Sequence, residues 1–133
     1  MKPVRFDPKV HHELLNLWRK PWDETMTPEA LPEYGFVVPD KAAGFLYRTD
    51  SSVALIEGII AAPGLTKEDR NEAVNAIVAA VRDEARRQGF KLLLGYSQLD
   101  AIKNRAERFG FMHVGPGYHM VALDLTKPDP PGL

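Results

Sequence analysis

The chain of 133 residues contains no cysteine. That absence excludes a disulfide framework, a thiolate nucleophile and any zinc site with cysteine ligands. The 17 Lys and Arg residues are balanced by 18 Asp and Glu, so the chain also lacks the excess of positive charge that marks a nucleic-acid binder. No apolar run approaches the roughly 18 residues of a membrane span. We therefore expect a protein of the reducing cytoplasm, or of a particle assembled there, with neither a membrane nor a nucleic-acid partner.

The chain does have the composition of a soluble globular protein, with 44% hydrophobic and 26% charged residues. Its length fits one domain with a core of its own. The last seven residues, 127–133, include three prolines and therefore suit neither a helix nor a central strand. We predict a single domain over residues 1–126, followed by a proline-rich tail over residues 127–133.

Hydrophobic periodicity predicts the element order β-α-(α)-β-β-β-α-β-α-β. Asp7 and Thr66 are expected to cap helices, and Gly89 is expected to end the longest one. Strands are predicted at residues 4–6, 34–38, 43–48, 53–61, 91–97 and 118–125, and helices at residues 8–20, 66–88 and 101–109. The strands on both sides of the long helix indicate a mixed sheet covered by helices, hence an α/β or α+β fold.

One local segment and this element order together resemble a known superfamily. Residues 101–111 read AIKNRAERFGF, which is similar to the segment of the GCN5-related N-acetyltransferases (GNAT) in which a helix ends in Gly-Phe before the last hairpin. The resemblance spans residues 4–125. It implies a mixed, mostly antiparallel sheet of six to seven strands flanked by about four helices. Residues 42–54, AAGFLYRTDSSVA, are similar to small GNAT-like proteins of tailed bacteriophages.

The resemblance also points to the loop before the long helix. GNAT enzymes there carry the pattern Gln/Arg-x-x-Gly-x-Gly/Ala, whose backbone N–H groups bind the pyrophosphate of acetyl-CoA. Aligned on Pro63, this sequence has Thr66, Asp69 and Asn71 at the three signature positions. Thr66 to Asp69 instead predict a capping box, in which each end residue bonds to the other's backbone. We therefore expect a helix start that is satisfied by its own side chains.

The charges near this helix start also disfavour a bound pyrophosphate. Glu68, Asp69 and Glu72 place negative charge where a pyrophosphate would lie. Two cations, Lys67 and Arg70, oppose them. The balance favours a capped helix with solvated charges over a working cofactor loop, so we expect no cofactor and no metal.

The alternative function, an acetyl-CoA-dependent N-acetyltransferase acting on an amine, has candidate site residues by resemblance. Glu57 matches the place of a general base in some members, and Tyr96 is the candidate acid because the family's usual tyrosine position holds Ala106. The candidate cofactor-binding residues are Ala62, Thr66, Lys67, Arg70, Asn71 and Gln98. The competing interpretations are that Tyr96 is a packed strand tyrosine, and that Glu57 is a strand glutamate that faces solvent or an arginine.

The favoured interpretation is a GNAT-fold protein without acetyl transfer, acting as a protein-binding or structural module, for instance in a phage particle. Trp18, Pro21 and Trp22 form a bend whose aromatics suit an interface. The tail 127–133 suits an extended segment laid along a neighbour. We expect a protein partner or self-assembly through these two places.

Overall fold

The computed structural model describes residues 1–22, 25–97, 100–117 and 123–132. The chain forms two compact units, Met1–Tyr96 and Ser97–Leu133. The single domain expected over residues 1–126 stays a prediction. Across the described ranges, no helix combines the length and the apolar character needed to cross a bilayer.

The first unit is a five-stranded sheet with a long helix and a shorter one. Its elements are β1 (Val4–Arg5), α1 (Pro8–Arg19), β2 (Gly35–Val38), β3 (Ala42–Tyr47), β4 (Val53–Ala61), α2 (Lys67–Arg87) and β5 (Leu92–Leu94). The strands lie in the order in which the chain makes them, β1 to β5. Neighbours are antiparallel except β4 and β5, which are parallel because α2 crosses over between them. The mixed, mostly antiparallel sheet is therefore confirmed.

Local signals set the helix ends. The Asp7 side chain accepts the Lys9 N–H at 3.0 Å, and Pro8 occupies the first turn of α1, where a missing N–H costs nothing. Thr66 Oγ1 accepts the Asp69 N–H at 3.1 Å at the start of α2. After α2, Gly89 adopts a φ of +89°, a left-handed conformation that suits glycine. These three caps are as predicted.

The core lies on both faces of the sheet. On one face, α1 contributes Leu15 and Trp18 to a cluster with strand residues that include Phe45. On the other face, Ile77 of α2 is fully buried, and Gly44 of β3 lies beneath it. A Cβ at Gly44 would lie 2.5 Å from Ile77 Cγ2, so only glycine lets α2 pack this closely. Trp18 is 6% exposed and is therefore a core residue of its own chain.

A β-bulge bends β4 in its second half. Ala43 pairs with Ile60 and Phe45 pairs with Glu57, so two residues of β4, Gly58 and Ile59, oppose the single residue between Ala43 and Phe45. Gly58 has a φ of +70°, as expected for the glycine of such a bulge. The bulge changes the direction of β4 directly after Glu57.

The sheet opens between β4 and β5. The two strands pair only from Val53↔Leu92 to Leu55↔Leu94, although β4 has nine residues. Beyond Leu55, β4 continues along β3 without a described partner on its other side. The sheet therefore opens beside the α2 crossover.

The second unit contains α3 (Asp100–Arg108). Gly110 ends it with a φ of +91°, and the Phe111 N–H returns to the Ala106 carbonyl at 3.0 Å. Most of the strand predicted at 118–125 falls on residues 118–122, which lie outside the described residues. Residues 123–125 belong to no strand, and residues 127–132 are exposed and form neither helix nor strand.

The element counts differ from the expected six to seven strands and about four helices. The described residues contain five strands and three α-helices. The region after α1 forms two single 3-10 turns, Lys20–Trp22 and Pro28–Ala30, in place of a further α-helix. Pro21, Pro28 and Pro32 remove backbone donors there, which prevents a longer helix.

Candidate functional site

The two candidate catalytic residues lie where the sheet opens. Glu57 is two residues past Leu55 on β4, and Tyr96 is two residues past Leu94 after β5, so each follows the last pair of the two strands. Gly95 still faces β4, because a Cβ there would lie 3.2 Å from Ile56 Cγ2. Tyr96 is 59% exposed. The opening thus places a carboxyl group and a phenol on its two sides.

Glu57 has an environment that disfavours its charge. The side chain is half-buried, and this burial raises the pKa of its carboxyl group. Tyr47, on the neighbouring strand β3, has its pKa raised first by burial and then by the negative charge of Glu57. The nearby Arg19 guanidinium acts in the opposite direction on Tyr47. A carboxyl group with a raised pKa can hold or accept a proton nearer to neutral pH.

The sequence alone did not predict that Tyr47 interacts with Glu57, or that Arg19 interacts with Tyr47. Arg19 is 2% exposed, and its ζ carbon lies 5.9 Å from the centroid of the Phe45 ring. The sequence did contain one indication that Arg19 is buried. Arg19 follows Leu15 by four residues, so it lies on the buried face of α1. Tyr47 carried no comparable signal, because its proximity to Glu57 depends on how β3 and β4 pair.

The start of α2 is capped by its own side chain. Besides the Thr66 hydroxyl bond to Asp69, the Arg70 N–H donates to the Thr66 carbonyl at 3.0 Å. Glu68 and Asp69 both lie in the first turn. The second half of the predicted capping box is not among the hydrogen bonds of the described residues. The Asp69 carboxylate instead lies 4.0 Å from Lys41 Nζ, in a partly exposed ion pair.

The remaining candidate cofactor-binding residues are spread around this helix start. The Ala62 N–H donates to the Lys41 carbonyl at 2.8 Å, and Ala62 packs against the core. Lys67 and Arg70 are exposed, and Asn71 is half-buried. Gln98 lies outside the described residues. Within the described part of the chain, no three His, Asp or Glu side chains form a group that could hold a metal ion.

Comparisons with known proteins give a fold but no family. No family model matches the chain, and no curated protein matches it either. Solved structures do match. A candidate acetyltransferase from Agrobacterium tumefaciens str. C58 superposes with a TM-score of 0.68 at 15% identity, over 92% of this chain and 100% of its own.

Two further structures agree. An aminoglycoside N-acetyltransferase in complex with CoA has a TM-score of 0.66 at 16% identity, covering 92% of this chain and 100% of its own. An acetyltransferase from Trypanosoma brucei has a TM-score of 0.62 at 13% identity, covering 93% and 99%. The chain therefore has the fold of the GNAT acetyltransferases, as the resemblance predicted. At these identities the likeness establishes the fold and not the activity.

Proposed function

We propose that the protein is a non-catalytic GNAT-fold module that binds a protein partner or assembles with copies of itself. The observation that carries this proposal is the charge and capping at the start of α2. A pyrophosphate needs free backbone N–H groups and a positive potential at such a helix start. Here the Thr66 hydroxyl accepts a hydrogen bond from the Asp69 N–H. The carboxylates of Glu68 and Asp69 lie in the first turn.

The cations near α2 do not offset this arrangement. Lys41 is paired with Asp69, so its charge is already partly neutralised. Lys67 and Arg70 are exposed side chains, whose attraction for an anion is weakened by water and salt. The residues present therefore do not fit the pyrophosphate of acetyl-CoA, and we derive no chemical step that uses it.

Calorimetric titration with acetyl-CoA tests the proposal. We expect no binding tighter than about millimolar for the unmodified protein. The double variant E68Q/D69N removes both negative charges of the first turn at nearly constant size and should strengthen any residual binding, because repulsion of the phosphates is relieved. Micromolar binding by the unmodified protein would overturn the proposal.

A second candidate function is an acetyl-CoA-dependent N-acetyltransferase acting on an amine. The specific observation in its favour is Glu57, a half-buried carboxyl group with a raised pKa at the opening of the sheet. A general base with such a pKa suits removal of a proton from an attacking ammonium group. An assay of thiol release from acetyl-CoA with a panel of amines tests this candidate. Activity that E57Q abolishes would establish it.

We also propose that the partner binds at two exposed parts of the chain. Trp22 is 67% exposed at the end of the bend after α1, and residues 127–132 are exposed too. Both are surfaces that a neighbouring chain can cover. The likeness of residues 42–54 to tailed-phage proteins makes a virion the assembly that we propose, with the bacterial or phage-infected cytoplasm as the place where it forms.

A further inference from the structure

Two arginines share one tyrosine ring on the first unit. The ζ carbon of Arg5, on β1, lies 4.6 Å from the centroid of the Tyr34 ring. The ζ carbon of Arg48, directly after β3, lies 4.5 Å from the same centroid. We call these three residues the Arg–Tyr–Arg stack. The two positive charges lie within about 9 Å of one another, which is about one Debye length in physiological salt, so both can act on one ligand.

The stack is held in place before any ligand arrives. Arg5 Nη2 donates to the Glu33 carbonyl, and Arg48 Nη1 donates to Gln88 Oε1, both at 3.4 Å. The Tyr34 carbonyl accepts the Leu46 N–H at 2.9 Å, which fixes the tyrosine to β3. Side chains that are already ordered lose less conformational entropy when they bind a ligand.

Among the described residues, no carboxylate forms an ion pair with either arginine of the stack. Three arginines of α2 behave differently, since Arg82 and Arg86 pair with Asp83 and Arg87 pairs with Glu84. Arg5 and Arg48 are both exposed residues, so an anion can reach them from solvent.

We propose that the Arg–Tyr–Arg stack docks the carboxylates of an acidic segment of a protein partner. A guanidinium binds a carboxylate through two parallel hydrogen bonds, and arginine and tyrosine are enriched where protein interfaces gain most of their affinity. A nucleic acid fits less well. The chain carries a net charge of −1, and the Tyr34 ring already carries two guanidinium ions where a base would have to stack. The inference rests on the proposed function, because it names the chemistry of the partner that the module binds.

Fluorescence anisotropy of a labelled polyglutamate peptide mixed with the 133-residue protein at low salt tests the inference. We expect binding that R5Q/R48Q weakens by about tenfold, since two charge-assisted contacts are lost. The control K9Q/R108Q removes the same net charge from exposed residues outside the stack and should leave binding unchanged. Y34L removes the ring that holds both arginines and should weaken binding, whereas Y34F keeps the ring and should not. Circular dichroism confirms that each variant is folded.

Three results would overturn the inference: no binding of polyglutamate by the unmodified protein, equal weakening by K9Q/R108Q, or tighter binding of an oligothymidylate that R5Q/R48Q abolishes. The last would assign the stack to a nucleic acid. If Y34L does not fold, the two double variants alone decide. Calorimetry with acetyl-CoA tests the proposed function separately. The proposed function can therefore be contradicted while peptide binding is confirmed, and peptide binding can be contradicted while the proposed function is confirmed.

Discussion

At the scale of single residues, the half-buried environment of Glu57 makes the stability of the protein depend on pH. Burial raises the pKa of its carboxyl group above the ordinary value of 4.5, so the folded protein holds this proton more tightly than the unfolded chain does. Stability contributed by such a group is present below the ordinary pKa and is lost as pH rises through the folded one. Glu57 therefore lowers the free energy of unfolding at neutral pH.

The variant E57Q should consequently be more stable than the unmodified protein at neutral pH. The amide has nearly the same size and no charge to desolvate. The difference in melting temperature should shrink as pH falls below 4.5, where Glu57 is protonated in both states. The control E13Q, at an exposed position of α1, should leave this pH profile unchanged. A loss of stability in E57Q at neutral pH would mean that a partner stabilises the ionised carboxylate.

A second residue-scale prediction concerns Gly44. G44A should destabilise the protein by about 1–3 kcal/mol, because the new methyl group overlaps Ile77. In an I77A background the same change should cost less, since the overlapping atoms are gone. Denaturant unfolding of the four proteins of this double-mutant cycle measures the coupling. An equal cost in both backgrounds would assign the effect of G44A to β3 itself.

At the scale of elements, the cap of α2 can be tested against an internal control. T66A removes the hydroxyl that accepts the Asp69 N–H and should lower stability by about 1 kcal/mol. Thr27 precedes the 3-10 turn Pro28–Ala30 but makes no side-chain cap bond, so T27A should be close to neutral. Chemical unfolding of both variants measures the difference. Equal effects would mean that Thr66 stabilises α2 by something other than its hydroxyl bond.

The same elements separate what the sequence can predict from what it cannot. The limits of α2 follow from Thr66 and Gly89, because a cap and a left-handed turn act over a few neighbouring residues. The bulge at Gly58 depends on where β3 places its partners. The ion pair of Lys41 with Asp69 likewise joins residues far apart in the chain. Such contacts form only in the folded protein, and no local sequence pattern predicts them.

At the scale of the whole molecule, the element order predicted the mixed sheet, because two neighbouring strands joined by one long helix are ordinarily parallel. The GNAT fold itself was predicted by the resemblance of residues 101–111 together with that order. The site was less predictable. Glu57 and Tyr96 were candidates through the resemblance, but the electrostatic interactions of Tyr47 with Glu57 and Arg19 join different elements, so no local pattern predicts them.

The two tryptophans give a whole-molecule prediction about assembly. Trp18 is 6% exposed and belongs to the core, so W18A should cost about 3–5 kcal/mol of stability. Trp22 is 67% exposed, so W22A should change stability by less than about 0.5 kcal/mol while weakening self-association. Denaturant unfolding and sedimentation of both variants measure these effects. A W22A protein that is as destabilised as W18A would place Trp22 in the core and not at an interface.

Calorimetric titration of the unmodified protein with acetyl-CoA measures directly whether the start of α2 can bind the cofactor. Because the start of α2 is capped by Thr66 and carries the charges of Glu68 and Asp69, we predict no binding tighter than about millimolar. E68Q/D69N should bind more tightly than the unmodified protein. A micromolar dissociation constant for the unmodified protein would contradict the non-catalytic function and favour an acetyltransferase with Glu57 as its base.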